Sequence, residues 1–128
     1  MWLLTILHLW ASNSLFYFSK TWKLLSFYNT GENPVDYGEY NDNVIFLPLD
    51  DFQTYIPQVD DIAEFIRNAQ KNGQDIICQC EMGRNRSAGC AAAILEYYYR
   101  NGQEIFEDDR YRPDEMVYYE VLRALEKL

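Results

Sequence analysis

Histidine and cysteine are scarce in this chain, which has one His and three Cys among 128 residues. Zinc sites are built from histidine, cysteine and carboxylate ligands, and a Cys-x-Cys pair with one histidine gives no convincing set. The cysteines Cys78, Cys80 and Cys90 are odd in number and clustered, unlike the paired cysteines of a secreted disulfide framework. We therefore expect no metal, no other cofactor and a reducing, cytoplasmic compartment.

Basic residues are also few, since 11 Lys and Arg stand against 20 Asp and Glu, for a net charge of −9. Nucleic acids and anionic membranes attract proteins largely through positive surface charge. We therefore expect neither a nucleic-acid nor a membrane partner. Any anion site must be a small, locally positive region within an acidic surface.

The chain also lacks an apolar run of about 20 residues, the length that a membrane-spanning helix needs. Its N-terminal apolar stretch resembles part of a signal peptide, but no basic residue precedes it and His8 interrupts it. We predict that residues 2–10 form a first strand, followed by a helix that begins near Ser12 or Asn13. For His8 we expect a structural role rather than a catalytic dyad with Cys80.

Glycine and proline, six and four in number, mark the ends of several predicted elements. Short apolar runs predict strands at residues 23–29, 43–49 and 75–79, with a polar loop at 30–42. Apolar periodicity and terminal signals predict helices between Pro57 and Gly73, over residues 87–101 and from Pro113 onward. The apolar stripes of the first and last of these helices are Ile62, Phe65, Ile66 and Ala69, and Val117, Val121, Leu125 and Leu128.

Strands that alternate with helices at this spacing predict the fold class. We expect an α/β fold with a central, mostly parallel sheet of about four to five strands and helices on both faces. The length fits a single domain over residues 1–128. In such sheets ligands bind at the carboxyl ends of strands, where the sequence places Cys80, Asp50 and Asp51.

The stretch "ICQCEMGRNRSAG" (77–89) connects a predicted strand to a predicted helix. Unpaired amides and the helix dipole favour an anion at such a helix N-terminus. Gly83 can take the positive φ that lets the backbone curve around that anion, and Arg86 can offer two N–H groups to a phosphate. The same field favours a thiolate at Cys80, which is the nucleophilic form, and Ser87 can hydrogen-bond the sulfur. The alternative is a buried strand-end cysteine near an incidental arginine.

The segment "CEMGRNRS" (80–87) resembles the phosphate-binding loop of the cysteine-dependent protein tyrosine phosphatase superfamily, whose pattern is His-Cys-x5-Arg-Ser/Thr. Two further segments resemble the compact dual-specificity branch: "FLPLDDF" (46–52) its general-acid loop, and "YRPDEMVYYEVLRAL" (111–125) its last helix. The order of elements matches from about residue 23 to the end. The resemblance implies a phosphotyrosine protein phosphatase-like fold and hydrolysis of phosphomonoesters without a metal.

The resemblance also implies roles for individual residues. Cys80 would be the nucleophile that forms a cysteinyl-phosphate, and Ser87 would assist its hydrolysis. The phosphoryl oxygens would be bound by the Arg86 side chain and by the backbone amides of Glu81, Met82, Gly83, Arg84, Asn85 and Arg86. Asp51 aligns best with the general acid and Asp50 is the runner-up, while a turn or helix-start role is the alternative for either carboxylate.

Three residues depart from the superfamily pattern. Gln79 stands in the position of the histidine, and it can donate a hydrogen bond but brings no positive charge. Glu81 puts a carboxylate inside the loop, where it opposes a phosphate unless Arg84 pairs with it. Asp114 replaces an asparagine, and we expect it to serve the N-terminus of the last helix.

Other interpretations remain open. The chain is either a phosphomonoester hydrolase or a phosphate-binding module of the same fold with little or no catalysis, and less favoured is a rhodanese-like sulfurtransferase. Cys78 and Cys90 are expected in the core, with a protective Cys78–Cys80 disulfide as a weaker hypothesis. Arg110 and Arg112 are expected on a solvated face or at the rim of an anion pocket. We expect a monomer with a shallow pocket that takes a phosphoprotein or a small phosphomonoester.

Overall fold

The computed structural model of the chain describes residues 3–6, 22–50, 52–81 and 83–127. Within these ranges the strands are β1 (Leu3–Ile6), β2 (Trp22–Tyr28), β3 (Val44–Pro48) and β4 (Asp75–Gln79). The α-helices are α1 (Val59–Lys71), α2 (Arg86–Tyr99), α3 (Gln103–Glu107) and α4 (Glu115–Lys127), and a 3-10 helix spans Gly38–Asn43. No helix in this part of the chain is long and apolar enough to cross a membrane.

The described strands form one parallel sheet in the order β1-β4-β2-β3. β4 lies between β1 and β2, and its Ile77 pairs with Leu4 on one side and Leu24 on the other. Because the strands are parallel, their carboxyl ends share one edge of the sheet. The predicted α/β class with a central parallel sheet is confirmed, and β4 delivers Cys80 to the middle of that edge.

The two faces of the sheet carry different cores, because alternate strand residues point to opposite sides. On one face the strands pack against α1, α2 and α4 through Leu25, Phe27, Leu47, Ile76 and Cys78. On the other face a smaller, aromatic-rich cluster contains Trp22, Leu24, Tyr37 and Ile77. The 3-10 helix that follows Tyr37 borders this second face.

The predicted elements lie close to the observed ones. β4 has the predicted bounds, and β2 and β3 begin and end within one residue of theirs. In α1, Ile62, Ile66 and Ala69 are buried as predicted and Phe65 is half-buried. In α4 the predicted stripe is buried at Val117, Val121 and Leu125, while Leu128 lies outside the described residues.

Short and terminal elements differ from the prediction. The 3-10 helix lies in the predicted loop, and α3 was not predicted, because elements of 6 and 5 residues show no helical periodicity. α2 ends before the predicted residue 101, because Arg100 has a left-handed backbone with φ of 59°. The predicted helix near Ser12, the predicted strand beyond Ile6 and His8 fall outside the described residues.

Candidate active site

Cys80 directly follows β4, and its side chain is buried between the sheet and the helices, with 1% exposure. Its Sγ lies 3.2 Å from the Oγ of Ser87, a buried residue in the first turn of α2. At this distance the Ser87 hydroxyl can donate a hydrogen bond to a thiolate. The structure therefore brings the proposed nucleophile and its proposed assistant into contact.

The loop between these two residues curves as the sequence predicts. Gly83 has a φ of +67°, in the left-handed region that glycine adopts without strain. The chain then enters α2 at Arg86, so the loop ends on a helix N-terminus with its unpaired amides and positive dipole end. Met82, whose amide belongs to the predicted cradle, lies outside the described residues.

The Arg86 side chain is buried, with 4% exposure, and is held at the carboxyl edge of the sheet. Its Nη1 donates to the backbone oxygen of Leu49 after β3 and, over 2.8 Å, to Oδ1 of Asn29 after β2. Hydrogen bonds to a charged group in a buried position are among the stronger ones in proteins. The guanidinium is therefore tied to the ends of two strands beside the one that carries Cys80.

The exposed half of the loop is fastened to the segment that precedes α4. Arg112 N–H donates to the Arg84 oxygen, Asn85 Nδ2 donates to the Arg112 oxygen, and Asp114 N–H donates to the Asn85 oxygen, each over 2.9 Å. Asp114 Oδ1 in turn accepts from Val117 N–H at 3.1 Å, which caps the start of α4. The prediction that Asp114 serves this helix N-terminus is confirmed.

Gln79 lies under the loop on the face of the sheet opposite the Cys80 side chain. Its Oε1 accepts hydrogen bonds from Ser26 Oγ at 2.8 Å and from the Tyr37 hydroxyl at 3.1 Å. Its Nε2 donates to the backbone oxygen of Cys80 at 3.2 Å. Burial raises the pKa of Tyr37 to about 12, so this phenol keeps its proton to a higher pH than an exposed tyrosine does.

Glu81 follows the nucleophile and is exposed. Its Oε2 accepts a hydrogen bond from Asn29 Nδ2 at 3.3 Å, and in the described part of the chain Arg84 forms no ion pair with it. Asn29 therefore bridges the Arg86 guanidinium and the Glu81 carboxylate. Beside them lies a cavity of about 30 Å³, whose lining includes Glu32 as well as Asn29, Gln79 and Glu81.

Of the two candidate acids, Asp50 lies within the described residues and makes several hydrogen bonds. Both carboxylate oxygens of Asp50 accept from Thr30, one from the backbone N–H at 2.9 Å and the other from the hydroxyl. Asp50 N–H donates to Gln53 Oε1 at 2.8 Å. These contacts match the turn role that was the alternative for this residue. Asp51, the preferred acid, lies outside the described residues.

The remaining candidates are occupied elsewhere. Cys78 and Cys90 are buried free thiols, and the hydrogen bond between them, together with burial, raises the pKa of Cys78. Arg110 forms an exposed ion pair with Asp108 at 2.6 Å, and its hydrogen bonds lower the pKa of Asp108 to about 2. Neither pair contributes a group to the phosphate loop, the name used for residues 80–87 because of their resemblance to the superfamily's phosphate-binding loop.

Sequence reasoning missed the contacts of Asn29, Leu49, Ser26 and Tyr37. Asn29 ends the strand predicted at residues 23–29, and no role at the site is predicted for it. Its position at a strand's carboxyl end was the available signal. Tyr37 had no such signal, because its place beside Gln79 depends on how the loop over residues 30–42 folds back across the sheet.

Several solved structures share this fold. Tk-PTP in the active form is 18% identical, with a TM-score of 0.66, and the match covers 99% of this chain and 92% of that one. PTPMT1 in complex with PI(5)P is 14% identical, with a TM-score of 0.64 and coverage of 91% and 84%. Human DUSP28 is 13% identical, with a TM-score of 0.60 and coverage of 91% and 85%. The resemblance to the compact branch of the cysteine-dependent phosphatases is thereby confirmed as a likeness of fold.

At the level of sequence, no curated protein matches the chain significantly. The family model described as the Rit1 DUSP-like domain matches residues 51–121, more than half of the 128 residues. The matched region begins at the proposed acid, contains the whole phosphate loop and ends within α4.

Proposed function

Because this chain belongs to the family of the Rit1 DUSP-like domain, we propose that it is a phosphomonoester hydrolase that acts through a cysteinyl-phosphate on Cys80. One observation carries most of the weight in favour of this activity. The Cys80 sulfur lies 3.2 Å from the Ser87 hydroxyl, at a helix N-terminus that is preceded by a left-handed glycine. A nucleophile, a hydrogen-bond donor for it and an anion-binding helix end therefore meet at one point.

The first step is capture of the phosphate group. The backbone amides from Glu81 to Arg86 surround its oxygens, and the Arg86 guanidinium adds a charged donor. The bonds from Arg86 to Leu49 and Asn29 hold the guanidinium before the substrate arrives. Such preorganisation reduces the entropy lost on binding and keeps the ester in line with the sulfur.

The second step transfers the phosphoryl group. The Cys80 thiolate attacks phosphorus, so an S–P bond forms while the bond from phosphorus to the ester oxygen breaks. Asp51 donates a proton to that oxygen, and the substrate leaves as an alcohol or phenol. We assign the proton to Asp51 rather than Asp50, because both oxygens of Asp50 accept hydrogen bonds from Thr30.

The third step hydrolyses the intermediate. Asp51, now a carboxylate, accepts a proton from a water molecule that attacks phosphorus, and the S–P bond breaks. The Ser87 hydroxyl donates its hydrogen bond to the sulfur as negative charge returns there. The products are inorganic phosphate and the regenerated thiolate. The substrate is a phosphoprotein or a small phosphomonoester.

A second candidate is a binding module that holds phosphate without useful turnover. The exposed Glu81 carboxylate favours it, because this charge lies in the loop beside the nucleophile and is neutralised by no cation among the described residues. Like charges in one site oppose both a thiolate and a phosphate dianion. The neutral Gln79 also favours the binding module, since it adds no positive charge.

The test is hydrolysis of an aryl phosphate, with a chelator present, by the wild type and by Cys80→Ser and Cys90→Ala. We expect Cys80→Ser to lose turnover but to bind inorganic phosphate in calorimetry, which also shows that it is folded. The matched control Cys90→Ala replaces another buried cysteine and is expected to keep turnover.

Three outcomes separate the alternatives. Turnover that survives in Cys80→Ser contradicts the cysteinyl-phosphate mechanism. A wild type that binds phosphate without hydrolysing any ester supports the binding module. Transfer of sulfur from thiosulfate to cyanide supports the rhodanese-like alternative.

A further inference from the structure

We propose that Gln79, held by the buried hydroxyls of Ser26 and Tyr37, positions the first amide of the phosphate loop. Gln79 is a positioning residue and does not touch the substrate. The inference rests on the proposed function for the identity of the anion, a phosphate group. It goes further by assigning a role to a neutral side chain in the position where the resembling superfamily has a histidine.

The three side chains form a closed network in the interior. Ser26 and Gln79 are each 1% exposed and Tyr37 is 2% exposed. A carboxamide oxygen has two acceptor positions, and both are filled here, by Ser26 Oγ and the Tyr37 hydroxyl. The reverse orientation of the amide would lose the bond to Cys80 O, because Oε1 cannot donate. The orientation of the Gln79 amide is therefore determined by its partners.

The third hydrogen bond of Gln79 connects the oriented amide to the phosphate loop. Gln79 Nε2 donates to the backbone oxygen of Cys80 at 3.2 Å. That oxygen and the N–H of Glu81 belong to one planar peptide unit, which is trans. In a trans unit the N–H points away from the C=O, so the bond that fixes the oxygen also aims the Glu81 N–H away from Gln79. This amide is the first of the donors that the phosphate would meet.

The network also joins three parts of the fold. Ser26 lies on β2, Gln79 on β4, and Tyr37 precedes the 3-10 helix. The Tyr37 hydrogen bond ties the loop over residues 30–42 to Gln79, the last residue of β4. The Tyr37 phenol is uncharged at neutral pH, and burial raises its pKa further, to about 12. This network therefore contains no charged group.

The experiment measures binding of inorganic phosphate by calorimetry, together with kcat and KM for an aryl phosphate. Gln79→Met keeps the volume and removes all three hydrogen bonds, and we expect it to weaken phosphate binding by about tenfold or more. Tyr37→Phe and Ser26→Ala each remove one bond to Oε1 and are expected to weaken binding by about threefold to tenfold. Gln79→His, which restores a ring N–H donor, is expected to recover part of the loss.

A matched control separates positioning from general stability. Asn43 Nδ2 donates to the backbone oxygen of Trp22 at 2.9 Å, at the opposite end of β2. Asn43→Ala therefore loses a hydrogen bond to the same sheet, and its phosphate affinity is expected to stay within about twofold of the wild type. Urea unfolding of every variant shows whether similar losses of stability have different effects on binding.

Phosphate affinity within twofold of the wild type in Tyr37→Phe, Ser26→Ala and a folded Gln79→Met overturns the inference. If Gln79→Met does not fold, the other two variants decide it. A wild type that binds phosphate but hydrolyses no ester contradicts the proposed function, and the binding measurements still test the positioning role. A wild type that binds no phosphate overturns both proposals.

Discussion

The Arg86 guanidinium donates a hydrogen bond from Nη1 to the backbone oxygen of Leu49. Leu49 directly precedes the Asp50–Asp51 pair, so this bond ties the arginine that we propose to bind phosphate to the segment that carries the proposed acid. A backbone oxygen does not titrate in the working range, and its position changes only when the segment itself moves. A movement of the segment that carries the proposed acid would therefore also move a hydrogen-bond partner of Arg86, so that proton transfer and phosphate binding are structurally coupled in the proposed mechanism.

We expect Arg86→Lys to weaken binding of inorganic phosphate by about tenfold or more, because one ammonium cannot bond Leu49 and Asn29 and also offer two parallel N–H groups. Calorimetric titration with phosphate measures the change. Arg84→Lys is the control, since that side chain is exposed and Arg84 accepts the hydrogen bond from Arg112 N–H through its backbone oxygen. Equal losses in the two variants would contradict a special role for Arg86.

The roles of Asp51 and Asp50 can be distinguished with phosphate esters whose leaving groups differ in acidity. We expect Asp51→Asn to lower kcat about a hundredfold or more for esters of weakly acidic alcohols, and much less for esters of acidic phenols, which need no proton. Asp50→Asn is expected to keep kcat within a few-fold and to destabilise the protein by about 1 kcal/mol, because it weakens the bonds to Thr30. Steady-state kinetics with a series of phosphate esters measures kcat for both variants, and urea unfolding measures the stability of Asp50→Asn. The opposite pattern would assign the acid to Asp50.

The contact between α2 and α4 predicts an unusual sign for a glycine substitution. A Cβ added at Gly89 would lie 2.5 Å from the backbone oxygen of Asp114 and 3.2 Å from Val117 Cβ. Alanine normally stabilises a helix interior over glycine by about 1 kcal/mol. Here we expect Gly89→Ala to destabilise the protein by about 1–3 kcal/mol, because backbone must move. Urea unfolding measures the change, and a stabilised variant would show that α2 and α4 are farther apart.

Alkaline stability tests the environment of Tyr37. Burial raises the pKa of Tyr37 from 10.0 to about 12, so the folded protein keeps this proton to higher pH than the unfolded chain does. The associated stability is complete below about pH 10 and is lost as the pH rises through about 12; over that range it amounts to about 2–3 kcal/mol. Unfolding free energies of the wild type and Tyr37→Phe are compared between pH 9 and 11.5. The wild type should lose more with rising pH, and parallel curves would contradict the shifted pKa.

Much of the fold could be predicted because burial in this chain is periodic. The continuous apolar run at residues 75–79 is a central strand, β4, with the predicted bounds. The stripes of α1 and α4 follow helical spacing and pack on the same core. The short α3 and the 3-10 helix could not be predicted, because elements of 5 and 6 residues are too short to show a helical period.

From the sequence alone the local chemistry is predictable: a strand that Cys80 directly follows, a turn that requires Gly83, and a helix that begins next to Arg86. These features depend on neighbours along the chain, through backbone conformation and the helix dipole. Which groups support these features depends on how the strands and loops come together in the fold. Asn29 and Leu49 reach Arg86, and Ser26 and Tyr37 reach Gln79, across separations of 37 to 57 residues. Such contacts follow from the order of strands in the sheet and from the path of one loop, and neither leaves a spacing in the sequence.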